Sequence, residues 1–283
     1  MARARTTTAG LERRRQAVLA RVAADGEMDI AQLVEEFGVS LMTMHRDLDV
    51  LAGRALLRKS RGRATIVPAV TVEVASELRR RTRLAEKEAI AEAALRELPP
   101  RGVILMDDST TLFPLARRLD ECGSYTVITN SVGIARIVAA TERSKAILLG
   151  GDYQSAFDST TGPEVSRALQ RLHADLALMS AVAITGGRLY HPIQGYAAVK
   201  EAMLDAAQRH LLLVDSSKFG RHAPFSHRDV SAYDTVITDR GVPQDEERTV
   251  RRLGTRLLLV DPRVTAGRPA GSPGEPFPMT SLK

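Results

Sequence analysis

Five short polar segments in the second half of the chain carry residue types that could hold a phosphorylated, hydroxyl-rich molecule. Met106 is followed by Asp107, Asp108, Ser109, Thr110 and Thr111, a loop of carboxylates and hydroxyls leading into a helical stretch. Backbone N–H groups at a helix start, with Ser and Thr hydroxyls beside them, can cradle a phosphate. The apolar run Thr126–Thr129 ends in Asn130 and Ser131, Ala146–Leu149 in Gly150, Gly151 and Asp152, and Leu176–Met179 in Ser180. The run Leu211–Val214 ends in Asp215, Ser216, Ser217, Lys218, Phe219 and Gly220, and Lys200 lies in the helical stretch before it. Lysines would neutralise a phosphate, and carboxylates would accept hydrogen bonds from sugar hydroxyls. The candidate set is therefore Asp107, Asp108, Ser109, Thr110, Thr111, Asn130, Gly150, Lys200, Asp215 and Lys218. One such loop alone would be turn and capping chemistry. Five at corresponding strand ends point to a site.

The elements that must position these loops are short apolar runs alternating with helical segments. Val103–Met106, Thr126–Thr129, Ala146–Leu149, Leu176–Met179, Leu211–Val214, Thr235–Thr238 and Leu257–Val260 are the expected strands. Several lack polar alternation, as strands covered by helices on both faces do. Amphipathic stretches at 110–121, 132–140, 162–172 and 195–209 supply the helices. Repeated strand–helix alternation predicts a mostly parallel α/β sheet, in which ligands bind where strands end and helices begin.

The N-terminal part has a different texture. Ile30, Leu33, Val34 and Phe37 form one apolar face of a short helix, Gly38 permits its end, and Ser40 is a good N-cap for a second helix. The second helix buries Met44, Leu48 and Leu51 and leaves Thr43, His45, Arg46 and Asp49 pointing outward. This is the spacing of a helix-turn-helix, although a plain helical hairpin shares it. Residues 55–66 tip the balance toward DNA: a β-hairpin is expected there, with Arg58, Lys59, Arg61 and Arg63 around Gly62, suited to phosphate contacts. The candidate DNA-binding residues are Ser40, Thr43, His45, Arg46, Lys59, Arg61 and Arg63. Leu11–Ala24 reads as a first helix, with Val18, Leu19 and Val22 facing the same core.

Composition agrees with a polyanionic partner. The chain has 283 residues and a net charge of +6, with Arg3, Arg5, Arg13, Arg14 and Arg15 forming a basic N-terminal arm. The length allows two domains. The expected division is 1–66 for DNA binding, 67–98 for a linker and a solvated connecting helix, 99–265 for an α/β domain, and 266–283 for a disordered tail rich in Pro, Gly and Ser. No signal peptide or membrane span is expected, and the single cysteine, Cys122, fits a reducing cytoplasm and a small core position. No Walker loop, nucleophile elbow, dinucleotide fingerprint or zinc-ligand spacing occurs, so no cofactor is expected.

The motifs FGVSLMTMHRDLDVL, MDDSTT, VITNS, ILLGG, VKEAM and DSSKFGR together resemble the DeoR family of bacterial transcriptional regulators over roughly residues 11–239. The resemblance implies an N-terminal winged helix and a sensor domain similar to ribose-5-phosphate isomerase. It further implies repression of carbohydrate-catabolism genes under control of a phosphorylated sugar or polyol. By that resemblance Asp107, Lys200 and Lys218 would contact the effector, with Ser109, Thr110 and Thr111 near its phosphate. Three departures stand out. Asp108 and Ser109 replace small residues of the family's sensor loop, His45 replaces the first of two arginines in the recognition helix, and Tyr196–Ala197 lie where an acidic residue is common. Two other readings remain open at this point: an isomerase-like enzyme, and an architectural DNA binder whose sensor is ligand-blind. Symmetric pairing on repeated half-sites is expected, since one recognition helix reads few base pairs.

Overall fold

The computed structural model describes residues 11–265 apart from 12, 13, 16, 20, 23–26, 54–56, 67–81 and 156. The expected arm residues Arg3, Arg5 and Arg13, the linker over 67–74 and the tail over 266–283 lie outside the described residues.

In the N-terminal part, helical residues between Leu11 and Val22 precede strand β1 (Glu27–Asp29), helix α1 (Ile30–Phe37), helix α2 (Leu41–Gly53) and the hairpin β2 (Leu57–Ser60) and β3 (Arg63–Ile66). Val18, Leu19, Val22, Met28, Ile30, Leu33, Met44, Leu48, Leu51, Leu57 and Ala64 form one small core. Gly38 ends α1 in the left-handed region at φ 59°, with its own N–H and that of Val39 returning to Glu35 and Val34. The next helix follows at once, because Ser40 Oγ accepts from Thr43 N at 3.3 Å. The hairpin turns on Arg61 (φ 49°) and Gly62 (φ 78°). Positive φ at both central positions matches the right-handed twist of the two strands. β3 also pairs with β1, giving a three-stranded sheet with one strand that polar EMD does not announce. Arg14 and Arg15, counted in the basic arm, each donate to the buried carboxylate of Asp47 on α2.

The rest of the chain runs through α3 (Leu84–Leu95), β4 (Arg101–Met106), α4 (Phe113–Arg117), β5 (Ser124–Thr129), α5 (Val132–Ala139), β6 (Lys145–Leu148), β7 (Asp152–Gln154), β8 (Ser159–Thr161), α6 (Pro163–Leu169), β9 (Ala174–Met179), β10 (Ala183–Thr185), β11 (Arg188–His191), α7 (Gln194–Asp205), β12 (Ala207–Leu213), β13 (Phe225–Asp229), β14 (Thr235–Asp239), α8 (Gln244–Arg252), β15 (Arg256–Val260) and α9 (Pro262–Thr265). Seven strands form one parallel sheet in the order β15-β14-β12-β9-β4-β5-β6. All seven coincide with the apolar runs. Successive side chains alternate between two cores. Ile104, Met106, Leu176, Leu178, Leu211 and Leu213 meet α3, α4 and α5, while Leu105, Ala177, Met179, Leu212 and Val214 meet α6, α7 and α8.

Two expectations need correction. The helix expected to be a solvated connector contributes Ile90, Ala91, Ala94 and Leu95 to the first of these cores. Its described part is a wall of the α/β domain, because Lys87, Ile90, Ala91 and Ala94 fall on one helical face. Cys122 is exposed rather than in the core; the residue ends a short 3₁₀ turn and its thiol reaches Leu95 O at 3.6 Å. No helix among the described residues is long and apolar enough to cross a membrane.

Candidate functional site

The order of the large sheet places a topological switch between β4 and β9. From β4 the chain moves outward through β5 and β6, then returns to β9 on the other side. The connections that follow β4 and β9 therefore leave in opposite directions and open a crevice at their C-terminal ends. Asp107 and Ser180 are the residues that follow these two strands, and they are joined: Asp107 Oδ2 accepts from Ser180 N at 2.9 Å. Its Oδ1 accepts from Ser109 N at 3.0 Å and so shapes the hydroxyl loop. Lys200, projecting from α7, donates to the same carboxylate and to Ser180 O at 3.0 Å. Both charged groups are almost fully buried, so each is the other's solvation.

Above this pair a half-open cleft is lined by Asp108, Ser109, Thr110, Thr111, Phe157, Ser180, Val182, His191, Lys200 and Lys218. The structure thus brings together, from different elements, six of the ten residues expected from sequence, with Asp107 directly beneath. The other three lie elsewhere. Asp215 caps the 3₁₀ turn at Ser216–Lys218, accepting from Ser217 N at 3.1 Å. Its carboxylate thereby sets where Lys218 starts. Asn130 is buried, donating from Nδ2 to Thr160 O at 2.9 Å, and ties β5 to the β7–β8 hairpin. Gly150 is exposed and does not line the cleft.

Asp108 and Tyr196, two of the departures from the family pattern, prove to be linked. Ser159 Oγ donates to Asp108 Oδ2 at 3.0 Å and lies 2.9 Å from the Tyr196 hydroxyl. Burial pushes the Asp108 carboxyl above its usual range, partly offset by the nearby Lys200 charge. Burial likewise raises the Tyr196 hydroxyl. Tyr196 stacks on His191 with centroids 5.2 Å apart and meets Phe157 at 4.7 Å, so aromatic faces back this wall. Behind it, burial pushes the His227 imidazole down to about 3, with help from Lys200, which keeps it neutral.

Sequence reasoning passed over Lys87, Phe157, Ser159 and the inward place of His191. Lys87 is 3 % exposed and donates to Thr110 Oγ1 at 3.3 Å, joining the hydroxyl loop to α3. Its signal was present in the spacing: a lysine on the apolar face of a helix is either covered or bound.

In the N-terminal part, Arg46 is exposed on α2, while Thr43 and His45 are half-buried and the Thr43 hydroxyl lies 2.8 Å from Ser40 Oγ. Arg61 at the hairpin tip is exposed. Two expected phosphate contacts have internal counter-ions: Lys59 pairs with Asp49 of α2 at 2.5 Å, and Arg63 with Glu27 of β1 at 3.2 Å. These pairs brace the hairpin against the recognition helix and the outer strand.

Comparison with known proteins covers both parts. The DeoR-like helix-turn-helix domain matches residues 14–69, and the DeoR C terminal sensor domain matches residues 82–240. The L-fucose operon activator of Haemophilus influenzae is 28% identical over 236 residues, spanning 83% of this chain and 94% of that protein. The glycerol-3-phosphate regulon repressor of Escherichia coli strain K12 is 28% identical over 235 residues, 81% of this chain and 91% of that protein. Among solved structures, ribose 5 phosphate isomerase A from Neisseria gonorrhoeae aligns with 47% of this chain and 52% of its own, at 13% identity and a TM-score of 0.33. With the sensor-domain match alone spanning more than half of the residues and the reading head matched ahead of it, the chain belongs to the DeoR family of transcriptional regulators, which are DNA-binding proteins and not enzymes.

Proposed function

We propose that the chain is a cytoplasmic repressor of carbohydrate-utilisation genes whose grip on its operator is set by a phosphorylated sugar or polyol bound in the β4–β9 crevice. The observation that carries this reading is the convergence of Lys200, Lys218 and the Ser109–Thr111 hydroxyls on one cleft at a topological switch. A buried phosphate needs cations and N–H or O–H donors, and this cleft supplies them. Asp108 and the aromatic wall would then meet the carbon skeleton and its hydroxyls. The glycerol-3-phosphate regulon repressor, by its name, supports both the phosphate and the direction of control. In this reading α2 and the hairpin hold the operator as a homo-oligomer, on paired half-sites.

The test is a gel shift at fixed salt with a panel of hexose, pentose and glycerol phosphates. The parent chain should change its operator affinity about 5–150-fold with one of them, the range of typical coupling energies. Lys218→Ala should bind the same DNA with unchanged affinity and show no response. Indifference of the parent chain to every phosphorylated metabolite would leave a ligand-blind sensor, and a reporter gene silenced on removal of the protein would make it an activator. Light scattering on the same complexes reads the oligomer.

Arg46→Ala should cut the preference for the operator over unrelated duplex about 5–150-fold, since one good base contact supplies roughly 1–3 kcal/mol of discrimination. Arg46 is the exposed cation on the outward face of α2. Preference retained in full by Arg46→Ala in competition gel shifts would move the base contact to another residue.

A further inference from the structure

We propose that Leu41 and Met42 read thymine methyl groups in the operator, making an apolar pair part of the sequence-specific contact. They are the first two residues of α2 and are 55% and 67% exposed; Met42 is the most exposed large hydrophobic residue among those described. Neither belongs to the small N-terminal core, which α2 supplies through Met44, Leu48 and Leu51. Folding of the head does not ask for them.

Their position says what would cover them. The N-terminal turn of a recognition helix is the part that meets base edges in a major groove. The same helix carries the exposed Arg46 one turn beyond Met42, and Arg58 and Arg61 are exposed on the hairpin that pairs with α2 through Lys59 and Asp49. An apolar tip on a helix that also carries an exposed arginine is a poor match for another protein's apolar patch. It is a good match for duplex DNA, whose phosphates flank a groove in which the thymine C5-methyl is the apolar feature. The neighbouring polar side chains are partly withdrawn. Thr43 is half-buried with its hydroxyl on Ser40, and His45 is half-buried, whereas Leu41 and Met42 are exposed at this end of the helix. The unbranched, polarisable methionine can also adapt to the exact height of a methyl group.

The experiment needs no knowledge of the natural operator. The full chain selects its preferred sequence from a random duplex library. Each thymine of the consensus is then replaced in turn by deoxyuridine, which removes the methyl and leaves every hydrogen-bonding group. At one or two positions the replacement should weaken binding by the parent chain about four-fold, the effect of uncovering one methyl-sized group. Met42→Ala or Leu41→Ala should bind the thymine and uracil duplexes equally at those positions, with unchanged thermal unfolding because both side chains are exposed. A consensus without thymine, or a parent chain indifferent to uracil at every position, overturns the proposal. So does a uracil penalty that survives in the doubly substituted chain. Loss of affinity in the variants that is equal for both duplexes would assign the pair to a contact other than the methyl, and overturns it as well.

Discussion

Lys200→Met should lower the melting temperature of the sensor domain by roughly 6–20 °C. The substitution keeps most of the side-chain volume and removes the charge that balances Asp107. Both groups are at most 3% exposed, so the carboxylate that remains has no access to water. It retains the amides of Ser109 and Ser180 but no counter-ion. Removing one partner of a buried pair costs about 3–5 kcal/mol, because the other is left desolvated. For a domain of this size each kcal/mol moves the midpoint by about 2–4 °C. The pair itself adds little over an uncharged pair, so Asp107→Asn combined with Lys200→Met should recover most of the loss. Circular dichroism melts of the three variants check both statements. A single variant melting within about 2 °C of the parent would mean that Asp107 is not held as a carboxylate. The result also bears on function, because Asp107 joins the ends of β4 and β9 on either side of the crevice.

Asp47→Ala should unfold the DNA-reading head selectively. Asp47 is 2% exposed and accepts from Arg14 Nε at 2.7 Å and Arg15 Nε at 2.9 Å. It fastens the first helical segment to the recognition helix. Alanine would remove the carboxylate to which both cations, each 20% exposed, donate. Hydrogen bonds to charged groups contribute about 1.5–3 kcal/mol each, and partial exposure of the arginines keeps the total near the low end, about 2–3 kcal/mol. In so small a core that is a large share of the stability, worth roughly 8–24 °C. Operator binding should fall with the head, while binding of ligand by the sensor domain is untouched. An unchanged head transition with normal operator affinity would show the two ion pairs to be idle.

The seven strands of the large sheet were legible because a parallel strand covered on both faces must be apolar throughout, and each announced itself as a short run such as LALM or LLLV. The hairpins were not. β7–β8 and the sheet β10-β11-β13 are built from polar segments such as DYQ, STT and FSHRD, whose pairing depends on partners far away in sequence. Phe157 and His191 of the cleft wall, and Ser159 that holds Asp108, come from these hairpins, which is why they had no sequence signal. Where polar residues follow a strand, the sequence shows chemistry without showing direction. Asp107 and Asp215 have the same local context, yet one grips a buried lysine and the other caps a turn. Asn130 shows the same ambiguity, resolved by its bond to Thr160. Lys87 was obscured by the charge around it, since AEKEA reads as a solvated face until the spacing to Ile90 and Ala94 is weighed.

The bond from Lys87 to Thr110 sets a length scale for communication. α3 begins at Leu84, three residues before Lys87, and residues 67–81 join it to the reading head. A ligand phosphate seated on the hydroxyl loop would compete for, or reorient, the Thr110 hydroxyl that Lys87 holds. The disturbance then has one helical turn, about 5.4 Å, to cross before it reaches the start of the helix. Nothing has to be relayed through the sheet. In the proposed reading the path would be short enough to work as a latch rather than a wire, on a helix that Ile90, Ala91, Ala94 and Leu95 hold to the domain as a rigid piece.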